Sequence, residues 1–251
     1  MQYPDFLSPN GTIGFAAPSF GCATEPYKTA FMNAQKKWRE EGYQLKIGPN
    51  CYPEEGICIR NTPIKCGSEL EESYCSDEND CIISCGGGEL MCEILDYVDF
   101  EKIKQAKPKW YMGFSDNTNM TFLLTTLCDT ASIYGPCAAA FGMEPQHPSL
   151  RDAMGVLTGK NLCLHGYDKW ERESLKDEEH PLLPYHVTEP SVIRKFPDTA
   201  LEVEGRLLGG CMDCLVNLLG TKYDKVCEFT NRYKDDGILW FLEACDLNVM
   251  S

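Results

Sequence analysis

The sequence predicts an α/β fold in which parallel strands are covered by helices on both faces. Two observations carry that expectation. Short apolar runs of strand length, "GTIGF", "YQLKI", "DCIIS" and "KWYMGF", alternate with stretches whose apolar residues recur at helical spacing. Most of these runs end in Gly- or Pro-bearing loops, as strands do in βαβ units. The expected architecture is a Rossmann-like N-terminal unit over residues 1–165, a linker or arm over 166–199, and the start of a second α/β unit over 200–251.

In order, "GTIGFAAPSFG" reads as strand then loop, broken by Pro18 and Gly21. "EPYKTAFMNAQKKWREEG" carries a helical stripe of Tyr27, Phe31, Ala34 and Trp38, with Gly42 as its C-cap. "YQLKIG" is a strand, residues 49–64 are irregular, and Ser68–Tyr74 is a short acidic helix. "DCIISCGGG" repeats the strand-to-loop pattern and "ELMCEILDYV" resumes a helix. "KWYMGF" and the helix after Asn117 (Met120, Leu123, Leu124, Leu127) complete another unit, and "ASIYGPCAAAFG" adds an apolar segment. Residues 166–198 are charged and Pro-interrupted, hence an arm. "ALEVEGRLLGGCMDCLVNLLGTKYD" and "DGILWFLEACDLNVMS" read as strand, glycine turn, helix and a strongly apolar strand, with "LNVMS" opening a further helix.

The formal charge is −15, from 38 acidic and 23 basic side chains. That balance argues against nucleic acid or an anionic membrane surface as the main partner. No leader pattern or membrane-length apolar run is evident, so a cytoplasmic protein is expected. Fifteen cysteines scattered from Cys22 to Cys245 fit reduced thiols better than a disulfide framework. Cys51 and Cys58, Cys81 and Cys85, and Cys211 and Cys214 are close pairs, and only the last is C-x-x-C. A zinc site would need further ligands at suitable spacing, and a redox motif would need Cys211 exposed at a helix start. Ordinary small buried residues are the alternative.

The stretch "KPKWYMGFSDNTNMTFLL" places Ser115 near the tip of a strand-to-helix turn. Ser115 is there either as a helix cap or as a nucleophile held on a tight turn. "GGG" at 86–88 lacks the spacing of a phosphate loop and no lysine follows it. Adjacent glycines do let a backbone N–H approach a reacting carbonyl. In a parallel sheet this loop and the Ser115 turn fall on the same edge.

"GTIGFAAPSFG", "IISCGGGELMCEILDYVDF", "KPKWYMGFSDNTNMTFLL", "IYGPCAAAFG", "EGRLLGGCMDCLVNLLGT" and "ILWFLEACD" occur in this order. Together they resemble the LD-carboxypeptidases, a serine peptidase family that includes the microcin C immunity proteins. The resemblance spans Gly11 to Asp246 and rests most on "GFSD" followed by Thr118, with "EGRLLGG" and "FLE" downstream. It implies a cytoplasmic homodimer without metal or organic cofactor that cuts an amide with a Ser-Glu-His triad. Ser115 would be the nucleophile, and the N–H groups of Asp116 and of Gly87 or Gly88 the oxyanion hole. Glu243 would orient the histidine; without the resemblance it reads equally as a charge marking a strand end.

The resemblance places the histidine well downstream of the carboxylate, and none of His147, His165, His180 and His186 matches it. His147, His180 and His186 read as solvated loop residues, and His165 as a partly buried strand-end residue. The expectation is therefore a chain lacking the last portion of the family's sequence and inactive as given. The substrate implied is a murein L,D-tetrapeptide or an aminoacyl- or peptidyl-nucleotide of microcin C type. The long arm, with Trp170, Tyr185 and Phe196, resembles the immunity branch. Trp170 would stack on a purine or pack the arm onto the sheet. A non-catalytic binding protein with the same cleft is the alternative function.

Overall fold

The computed structural model describes residues 1–53, 55, 60–199 and 201–245. Cys58, half of the Cys51–Cys58 pair, and "LNVMS" lie outside the described residues.

The chain runs β1 (Thr12–Ala16), α1 (Tyr27–Glu40), β2 (Gln44–Ile47), α2 (Pro63–Cys75), β3 (Cys81–Ser84), α3 (Phe100–Gln105), β4 (Trp110–Gly113), α4 (Thr118–Thr126) and β5 (Ile133–Tyr134). Then follow α5 (Pro148–Leu157), β6 (Lys169–Glu171), β7 (Val187–Pro190), β8 (Arg206–Cys211), α6 (Met212–Leu218), α7 (Val226–Arg232) and β9 (Ile238–Glu243). The first five strands form one parallel sheet in the order β2-β1-β3-β4-β5. The fold class is thus α/β with a central parallel sheet, as the alternation of strand and helix predicts.

Alternate residues of each strand enter opposite cores. Ile13, Phe15, Ile83 and Met112 face α1 and α5 through Phe31, Trp38, Leu150 and Leu157. Ala16, Ile82 and Tyr111 face α2, α3 and α4 through Leu70, Tyr74, Ile103, Met120 and Leu123. Leu208, Leu218 and Phe229 join this second cluster, so the β8–β9 unit is seated on the α4 side of the sheet.

Several local expectations are corrected. Tyr27 does not belong to the buried stripe of α1: it is 56% exposed, while Ala30 and Gln35 are buried in its place. The acidic helix is longer than Ser68–Tyr74, because Thr62 caps it and Pro63 starts it. "ELMCEILDYV" forms a 3₁₀ helix over Met91–Tyr97, whose tighter turn follows the glycine loop directly. Within the arm, as an addition to its reading as a linker, β6 and β7 pair antiparallel. Helix α7, unexpected from the sequence, buries only Phe229, which is too thin an apolar stripe to signal a helix by periodicity.

Candidate active site

Strand β4 stops at Gly113, and Ser115 opens a 3₁₀ turn over Ser115–Asn117 that leads into α4. Ser115 takes φ +62°, a left-handed conformation that costs a non-glycine residue about 1–2 kcal/mol. The turn is fixed from several sides. Tyr111 donates to Asn117 Oδ1 at 2.5 Å, and Asn117 Nδ2 donates to the carbonyls of Gly86 and Phe114 at 2.9 and 3.0 Å. Thr118 Oγ1 donates to the Ser115 carbonyl at 2.7 Å and accepts from the Cys211 N–H at 2.9 Å. That pairing explains Gly210, whose φ is +143°: a Cβ there would lie 2.6 Å from the Thr118 methyl. Ser115 serves no capping role, since no side chain caps α4 and its Oγ makes no hydrogen bond among the described residues.

The glycine loop after β3 lies against this turn, as the shared sheet edge predicts. A Cβ on Gly87 would sit 3.1 Å from Ser115 Cβ and 3.4 Å from its Oγ. Gly88 has φ +159°, and a Cβ there would overlap Ser19 Oγ. Among the described residues no acceptor meets the N–H groups of Gly87, Gly88 or Asp116. The glycine loop that the sequence suggests for an oxyanion hole is therefore brought against the serine through Gly87.

Glu243 ends β9, level with Cys211 of β8 in the parallel register. Its carboxylate accepts from the Tyr134 hydroxyl, and that oxygen accepts in turn from the Ser115 N–H at 2.9 Å. Burial, then the Glu243 carboxylate, pushes the Tyr134 phenol well above its ordinary range, so it stays a donor. Tyr134 is a site residue that the sequence reading missed. Its signal was its place at the C-terminal end of an edge strand next to Gly135-Pro136.

The Asp116 side chain is a second missed feature. Only 1% exposed, it accepts from Ser19 Oγ and from the Met91 N–H at 3.3 Å, while Oδ1 has no partner among the described residues. Burial pushes its carboxyl up to about 6; the Ser19 and Met91 hydrogen bonds oppose this and Glu89 adds to it. Folded protein therefore keeps the proton over a range where the unfolded chain has lost it. Stability contributed by this group falls as pH rises from about 4 to about 6 and stays lost above, by about 3 kcal/mol. Denaturant unfolding at pH 4.5 and 7.5 is expected to show a larger drop in the wild type than in Asp116→Asn. Equal drops would place no such penalty on Asp116.

Of the other residues singled out in the sequence, Trp170 is 50% exposed on β6 and does not line the cavity beside Ser115. The arm residues that do are Lys176 and Tyr185. His165 is exposed and outside any strand, which corrects its reading as a partly buried strand end. His147 is not a solvated loop residue: it caps α5 by accepting from the Ser149 N–H and packs against Tyr167 and Tyr185. His180 and His186 are exposed, and none of the four histidines lines the cavity.

Cys211 is buried rather than exposed at the start of α6, and burial pushes its thiol and that of Cys214 upward. That is the reverse of a reactive C-x-x-C pair. No group of three or more metal-ligating side chains occurs among the described residues. With a thiol reagent under native conditions, exposed Cys163, Cys227 and Cys245 are expected to react first, and Cys211 and Cys214 only on unfolding. Early modification of Cys211, followed by peptide mapping, would contradict this.

The cavity itself is about 600 Å³. Gly86, Gly87, Gly88 and Ser115 line it with Cys85 and Cys137, and Phe20, Tyr27 and Phe114 contribute exposed aromatic surface.

Residues 13–135 match the family model of the LD-carboxypeptidase N-terminal domain. The microcin C7 self-immunity protein MccF of Escherichia coli is 27% identical over 230 residues, covering 86% of this chain and 63% of that protein. A Bacillus subtilis protein named "probable murein peptide carboxypeptidase" is 24% identical over 225 residues, covering 88% of this chain and 60% of its own length. The chain thus spans about three-fifths of these two relatives. A structure of MccF in complex with glutamyl sulfamoyl guanosine superposes with a TM-score of 0.77 at 22% identity, over 96% of this chain and 70% of the other. That likeness concerns the fold, and the family likeness rests on the sequence: residues 13–135 are those of an LD-carboxypeptidase N-terminal domain by their match to that family's model.

Proposed function

We propose that the protein belongs to a serine hydrolase that cuts an amide, with Ser115 as nucleophile. The observation that carries this is the left-handed Ser115 at a strand-to-helix turn, with its Oγ unengaged and free N–H groups of the glycine loop against it. Ser115 Oγ would bond to the substrate carbonyl carbon while the oxyanion takes hydrogen bonds from Asp116 N–H and Gly87 or Gly88 N–H. The serine proton would pass through a histidine oriented by Glu243, other than the four placed here, to the leaving amine as the C–N bond breaks. Water then cleaves the acyl-serine ester by the same route. Tyr134 would hold the Glu243 carboxylate and the Ser115 turn in one arrangement.

The substrate proposed is a murein L,D-tetrapeptide or an aminoacyl-nucleotide of microcin C type. The two relatives' names and the MccF complex with glutamyl sulfamoyl guanosine support those classes. One observation favours a second function, a binding protein that keeps the cleft without chemistry: none of the four histidines lines the cavity. Incubation with each substrate class and mass-spectrometric detection of released D-alanine or nucleotide separates the two. Release supports the hydrolase; tight binding with no release supports the binding protein.

A further inference from the structure

We propose that Lys176 and Arg60 form an anion subsite in the Ser115 cavity, taking a carboxylate or phosphate of the bound substrate. The subsite rests on the reading of this cavity as the substrate cleft.

The chain as a whole is strongly acidic, at −15, yet the cavity lining carries two cations, Arg60 and Lys176, against one carboxylate, Glu89. The arm delivers Lys176. Leu182 and Tyr185 pack on the α1 side of the core, and the Glu144 N–H donates to the Leu182 carbonyl at 2.7 Å. Burial pushes the Lys176 ammonium below its ordinary range, and Glu171 only partly offsets this. Glu171 is itself engaged, accepting from the His186 N–H at 2.5 Å. Among the described residues no acceptor meets Lys176 Nζ. A half-buried ammonium with no hydrogen-bonded acceptor among the described residues is an arrangement that an anionic ligand relieves.

Arg60 lines the same cavity and is only 7% exposed. Its backbone is pinned on both sides: its N–H donates to the Ser19 carbonyl at 2.8 Å and its carbonyl accepts from the Glu55 N–H at 3.2 Å. A Cβ on Gly21 would come within 3.0 Å of Arg60 Nε, so the glycine makes room for the guanidinium. Phe20, Tyr27 and Phe114 border the same space. Apolar walls lower the local dielectric and strengthen attraction between an anion and these cations.

The test is equilibrium binding to the Ser115→Ala protein, in which turnover is blocked, with three probes. They are a murein tetrapeptide with a free terminal carboxylate, the same peptide as its C-terminal amide, and AMP. The expected result is that the peptide acid or AMP binds and is weakened about tenfold or more by Lys176→Met, with Lys176→Arg retaining most of the affinity. The peptide amide is expected to be unaffected by Lys176→Met. If the acid responds, the anion is a carboxylate; if AMP responds, it is a phosphate. No binding of either anion, no effect of Lys176→Met, or equal weakening of acid and amide would overturn the subsite. Absence of hydrolysis in the wild type with this pattern intact would count against the hydrolase and leave the subsite standing.

Discussion

In the protein made from its native gene, replacing Ser115 by alanine is expected to lower amide hydrolysis by about a thousandfold or more, with substrate affinity and thermal stability nearly unchanged. The kinetic loss follows because the neighbouring hydroxyls of Thr118 and Tyr134 are engaged with the Ser115 carbonyl and with Glu243. Stability should hold because Ser115 Oγ makes no hydrogen bond among the described residues and alanine bears the same left-handed strain as serine. Steady-state kinetics and a melting curve on the same preparation check both halves. A large fall in melting temperature would instead make Ser115 a structural residue.

The second large effect is in the core. Phe15→Ala is expected to destabilise the protein by about 3–5 kcal/mol, measured by denaturant unfolding. Phe15 is buried on β1, edge-on to Phe31 at 5.1 Å and tilted against Trp38 at 5.3 Å. Its removal opens a cavity between the sheet and α1 that Trp38 and Phe141, themselves 5.1 Å apart, cannot readily fill. Ile193→Ala, on an exposed part of the arm, is expected to stay within about 0.5 kcal/mol of the wild type. A Phe15→Ala loss as small as that would mean the site relaxes far more than a packed core does.

The parallel sheet was legible in the sequence because its inner strands are buried on both faces and read as short continuous apolar runs between turn signals. Residues 81–84 and 110–113 illustrate it, each buried at every position. Patterns with few apolar residues were harder. Helix α7 buries one side chain, and the β6–β7 pair is exposed on most positions, so periodicity had little to report. Tyr27 was misplaced because it matches the helical stripe yet lies at the first turn of α1, where the core no longer reaches it.

At the site, the Ser115 turn and the glycine loop were legible because each is a local backbone event, and parallel pairing of β3 with β4 brings them together. What escaped were contacts between segments far apart in sequence. Tyr134 reaches Glu243, Ser19 reaches Asp116, and Lys176 enters from the arm. None of these residue types is unusual where it stands. Only the crossing of β5 beside β4 and the docking of the arm give them roles.

The most direct measurement is reaction of the protein made from its native gene with a fluorophosphonate, followed by mass spectrometry of the peptide spanning residues 108–125. A nucleophilic Ser115 predicts a single phosphonyl adduct on that residue, abolished in Ser115→Ala. No adduct, or one carried by another serine while Ser115 stays unmodified, would contradict Ser115 as the nucleophile.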